Sequence, residues 1–129
     1  MLEIRYSVNE AVDISSTWKD IESFRQEILK FLKTDSERIH IDTERNITPE
    51  TWNFVANALE IIQNGKAVKV SISDDKIIKI EGSKENLEKF TSFLLFDENA
   101  TNGSHSHYEF YEGNEWIDSK STPLIIGIK

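Results

Sequence analysis

The chain has 129 residues, no cysteine, and 23 acidic against 15 basic side chains, for a formal net charge of −8. That length suits one domain, residues 1–129, able to bury about two thirds of the surface its unfolded chain exposes. The charge repels phosphate backbones and anionic membranes, so neither nucleic acid nor membrane is an expected partner, and the lack of thiols excludes disulfides, thiolate metal sites and a cysteine nucleophile.

The first residues show no basic region followed by an apolar stretch, and no later run approaches the ~18 apolar residues that span a bilayer, so a soluble, cytoplasmic protein is expected. Leu2, Ile4, Tyr6 and Val8 alternate with Glu3, Arg5 and Ser7 as a half-buried strand does. Val12 and Ile14 extend or re-pair it after Asn9-Glu10. Ser15, Ser16 and Thr17 offer caps for a helix reaching about Leu32, with Trp18, Ile21, Phe24, Ile28, Phe31 and Leu32 on one face. Asp20 and Glu22 near its start and Lys30 and Lys33 near its end suit the helix dipole.

Arg38 to Thr43 alternates as a short strand. A second helix is expected after it: Thr48 can cap, Pro49 fits the first helical position, Glu50 suits the dipole, and Gly65 offers a left-handed terminus. Trp52, Val55, Leu59 and Ile62 would form its buried stripe, widened by Phe54, Ala58 and Ile61, and such a stripe serves as core more often than as a cofactor pocket. Val68, Val70 and Ile72, the Asp74-Asp75 turn, and Ile78 and Ile80 then read as a hairpin with one wet face. Gly82-Ser83 breaks the second strand and caps a third helix carrying Leu87, Phe90, Thr91 and Leu94.

Asp97 to Gly103 reads as a loop, His105 to Glu112 as a strand, Gly113-Asn114 as a turn, and Leu124, Ile126 and Ile128 as a closing strand. The order predicts an α+β fold: a mixed or mostly antiparallel sheet with about three helices, packed in two layers.

Candidate chemistry is sparse. Period two places His105, His107 and Glu109 on one strand face, a set that could ligate zinc or another divalent ion with help from His40 and Asp42. An open strand with a solvated face opposite a buried aromatic one explains the pattern more simply, without any ligand geometry, so no metal and no cofactor is expected. No Gly-flanked nucleophile, phosphate-binding glycine loop or helical His-Glu zinc motif is present, and no enzymatic activity is expected.

Charge is the more informative feature. Between Phe90 and Ser119 there is no Lys or Arg, whereas Asp97, Glu98, Glu109, Glu112, Glu115 and Asp118 are interleaved with Tyr108, Tyr111 and Trp116. Such concentrated like charge costs stability by self-repulsion unless a basic partner neutralises it, and Tyr and Trp are common interface anchors.

The run from Gly82-Ser83-Lys84-Glu85-Asn86-Leu87, through His105-Ser106-His107-Tyr108-Glu109-Phe110-Tyr111 and Gly113-Asn114-Glu115-Trp116, to Ser121-Thr122-Pro123-Leu124-Ile125-Ile126 resembles small bacterial immunity proteins of polymorphic toxin systems. The first half of the chain shows no such resemblance. The positions that carry it are His105, His107, Tyr108, Glu109, Tyr111, Gly113, Asn114, Trp116 and Pro123. The resemblance implies a non-catalytic cytoplasmic protein that binds and neutralises a cognate toxin domain. Together with the charge pattern it nominates His105, His107, Glu109, Tyr111, Glu112, Glu115 and Trp116 as the partner-binding set. The alternatives are a metal-binding domain or metal-dependent enzyme built on His105, His107 and Glu109, and a structural adaptor in a larger assembly. Self-association is left open.

Overall fold

The structure, a computed structural model, describes residues Met1–Lys129. It is an α+β fold with two mixed sheets and two helices. The elements are β1 (Leu2–Ser7), β2 (Ala11–Ser16), α1 (Trp18–Phe31), β3 (Arg38–Ile41), β4 (Thr43–Glu44), β5 (Phe54–Val55), β6 (Ala58–Gln63), β7 (Lys69–Ile72), β8 (Ile77–Gly82), α2 (Lys84–Thr91), a single 3₁₀ turn (Ser92–Leu94), β9 (His105–Tyr108) and β10 (Leu124–Ile128). The larger sheet runs β4-β1-β2-β10-β9, with β5 also paired to β1. The smaller runs β3-β6-β8-β7.

The amphipathic patterns explain the layers. Leu2, Ile4, Tyr6, Val12, Ile14, Leu124, Ile126 and Ile128 cover the inner face of the larger sheet, and Leu59, Ile61, Val70, Ile78 and Ile80 that of the smaller. Both faces share one core with Ile21, Phe24 and Ile28 of α1 and Leu87 and Phe90 of α2. Each helix begins on a side-chain cap: Thr17 Oγ1 accepts from the Asp20 amide and Ser83 Oγ from the Asn86 amide. Gly82, just before the second cap, has no room for a side chain, since a Cβ there would lie 2.9 Å from Val68 Cγ2. The β7–β8 turn closes with Lys76 at φ +61°, the left-handed residue that a three-residue hairpin loop requires.

Three expectations need correction. Residues 49–62 are not a helix. Glu50 sits at φ +55°, the Trp52 amide bonds back to the Pro49 carbonyl in a turn, and β6 follows with Leu59 and Ile61 inward. Leu59 and Ile62 satisfy helical spacing only because a central strand, flanked by β3 and β8, is apolar on both faces. The helix count is therefore two. The strand starting at His105 ends at Tyr108 rather than Glu112. Arg5, expected on a wet face, is 3% exposed beneath the 45–53 loop, where Nε donates to the Thr48 carbonyl at 2.8 Å and Nη2 contacts Glu3 at 3.0 Å and Glu50 at 3.3 Å.

Candidate protein-binding surface

The nominated residues fall on two adjoining structures, β9 and the segment that follows it. β9 lies at the edge of the larger sheet, paired only with β10. Tyr108 points inward, fully buried, its ring edge-on to Phe90 and Phe93 at 4.9 and 4.8 Å. Its hydroxyl has no partner, and burial pushes its pKa well above that of an ordinary phenol. His105 and His107 point the other way, both exposed, with ring centroids 5.0 Å apart. His105 Nδ1 lies 3.0 Å from the Gly103 carbonyl oxygen.

Glu109 is exposed and lies past the end of the strand, so it does not continue the face that the two histidines define. No group of three or more His, Asp or Glu side chains converges with metal-ligand geometry. His40 lies on edge strand β3 of the smaller sheet and Asp42 just before β4, the edge of the larger sheet opposite β9; the two are 3.9 Å apart and line a cleft of about 220 Å³ with Asp20 and Glu27.

The segment after β9 is tethered at its far end and open at its near end. Asn114 is buried, and its Oδ1 accepts from the Trp116 and Ile117 amides at 3.0 and 3.3 Å. The Trp116 carbonyl accepts from the Val68 amide, the Asp118 amide donates to the Val68 carbonyl, and Ser121 Oγ accepts from the Val70 amide. Residues 116–122 thus close the outer edge of β7. Trp116 itself is half-buried, 5.8 Å from both Phe93 and Tyr108, so it belongs partly to the core. Phe110 and Tyr111, by contrast, are 37% and 61% exposed. Glu109, Glu112 and Glu115 are exposed as well, with no cation paired to any of them.

The structure also assembles a polar row that the sequence did not announce. Across the outer face of the larger sheet, register places Arg5 beside Asp13, Asp13 beside Ile125, and Ile125 beside His107. Burial raises the Asp13 carboxyl above the ordinary range, with Arg5 only partly offsetting it. Burial alone would raise Glu3 too, but hydrogen bonds from Lys129 and Arg5 hold it below its usual value. Strand alternation could have placed Arg5 and Asp13 on this face. Their adjacency depends on the β1–β2 register, and no residue marks the loop that covers Arg5.

No family model matches the chain, and no match to it is found among curated proteins or solved structures. No helix is long and apolar enough to cross a membrane.

Proposed function

We propose that this chain is a non-catalytic binding protein that captures a basic protein partner, in its most specific form an immunity protein that neutralises the cognate domain of a bacterial toxin. One observation carries the reading: Glu109, Glu112 and Glu115 stand exposed beside Phe110 and Tyr111 on a segment without a single Lys or Arg, which continues from β9 and is hydrogen-bonded along β7 at its far end. Unpaired carboxylates around accessible aromatic rings suit a basic cleft, with charge accelerating encounter and the aromatic side chains slowing release. Occupation of that cleft would inhibit by exclusion, and toxins that act on nucleic acids need such a cleft for phosphates. Histidines 105 and 107 would flank the contact on the neighbouring strand.

The test is co-purification of the tagged chain with proteins encoded beside it in its native genome, followed by calorimetry on the isolated pair. A one-to-one complex with a basic protein whose toxicity the chain suppresses is expected. Absence of a complex with every such neighbour would overturn the immunity reading.

A further inference from the structure

The hydrogen-bond parity of the larger sheet shows what edge β9 leaves open. The Val12 amide donates to the Pro123 carbonyl and the Lys129 amide to that of Ser16. In a parallel ladder those bonds assign residues 123, 125, 127 and 129 of the β10 region to β2. The even residues of β10 therefore turn their backbone groups towards β9, in agreement with the Ile128 amide donating to the Ser104 carbonyl at 2.8 Å. In that alternation Ser106 and Tyr108 bond to β10, while the N–H and C=O groups of His105 and His107 point away from the sheet. Neither histidine's backbone forms a hydrogen bond outside the β9–β10 ladder.

The other lateral edges are guarded. That of β7 is closed by residues 116–122, that of β1 is taken by the two-residue strands β4 and β5, and β3 carries Arg38, ion-paired to Glu60 at 3.6 Å. β9, His-Ser-His-Tyr, contains no Lys, Arg, Asp, Glu or Pro. It lies between Asp97-Glu98 on one side of the sequence and Glu109, Glu112 and Glu115 on the other, which marks the occupant's charge.

We infer that the free edge of β9 takes up an extended, basic segment of the partner protein as an added strand, bonded to the backbone of His105 and His107 and flanked by the carboxylates of the following segment. This rests on the acidic-surface reading above and specifies how the partner docks. Backbone bonds give such a strand its alignment, and its inward side chains would lie beside the half-buried ring of Phe93, whose carbonyl accepts from Ser106 Oγ at 2.7 Å. Lys or Arg at alternate positions would meet the carboxylates.

The probe is a synthetic peptide alternating Lys and Val, compared with the same peptide N-methylated at every backbone amide, which keeps its charge and loses its strand donors on both edges. At low salt the unmodified peptide should bind, slow hydrogen exchange at the His105 and His107 amides, and lose about tenfold or more in affinity on N-methylation. His107→Pro removes an outward N–H that the fold does not use, which an edge strand tolerates, and should weaken binding well beyond His107→Ala, the difference between the two variants reporting the backbone bond. Equal binding of both peptides, without protection of the two amides, would overturn strand addition and leave the acidic surface standing. Failure of both peptides to bind would overturn both. Protection that grows with protein concentration in the absence of peptide would show a second copy at this edge and overturn the basic-segment assignment.

Discussion

Tyr111 and Trp116, five residues apart, are expected to act differently. Tyr111 projects from an acidic segment with most of its ring in water, whereas Trp116 packs on Phe93 and Tyr108 and hands its backbone to Val68. Tyr111→Ala should leave the urea midpoint in place and raise the dissociation rate of a partner complex about thirtyfold, the effect of an anchor worth about 2 kcal/mol. Trp116→Ala should instead cost stability on the order of 2 kcal/mol, less than the loss of a fully buried aromatic side chain. Reversal of the two outcomes would exchange their roles. Asp13 gives a residue-scale pH dependence. Because burial raises its carboxyl, the native state holds that proton more tightly than the unfolded chain, so its contribution turns unfavourable as pH rises through the carboxylate range. Asp13→Asn should therefore gain stability relative to wild type between pH 4 and pH 7. Urea midpoints measured at both pH values check this, and a constant difference would contradict it.

At the scale of elements, α2 and β10 bind the layers together. Leu87 is, with Phe90, one of the two buried apolar contacts of a helix only eight residues long, and Ile126 lies in a strand paired on both sides. Leu87→Ala and Ile126→Ala should each cost about 2 to 5 kcal/mol, read as a fall in urea midpoint at unchanged slope. These elements were also the most legible in the sequence. The β7–β8 alternation, the Asp74-Asp75 turn, Gly82 and the Ser83 cap are local signals, and the structure preserves them because tertiary packing agrees with each. Residues 48–63 show the opposite case. Thr48, Pro49 and Glu50 are good helix-start chemistry, but Arg5 draws the Thr48 carbonyl and Glu50 carboxylate to itself, and β3 and β8 claim residues 58–63 for a sheet. Neither competitor is local, so no window of sequence could weigh it. The candidate surface divides in the same way. The absence of cations and the aromatic interleaving were readable, whereas the end of β9 at Tyr108, the anchoring of Trp116 and the orientation of the free backbone groups depend on which strands become neighbours.

For the molecule as a whole, the −8 charge is unevenly used. The wet face of the smaller sheet mixes signs, with Arg38, Glu60, Lys69, Lys79 and Glu81, while the segment after β9 offers only carboxylates. A partner drawn by net charge alone would respond to any lost acid, but one drawn to this segment responds to three in particular. The decisive measurement is the association rate of a cognate basic protein with wild type and with the triple variant Glu109→Gln, Glu112→Gln, Glu115→Gln, at low and at near-physiological salt. The side chains are exposed and unpaired, so the variant should keep its urea midpoint. Its association should be slower at low salt by about tenfold or more, with a much flatter salt dependence, whereas a control removing three acids elsewhere, at Glu10, Asp35 and Glu37, should change far less. Association of the triple variant at the wild-type rate at both salts would contradict the account.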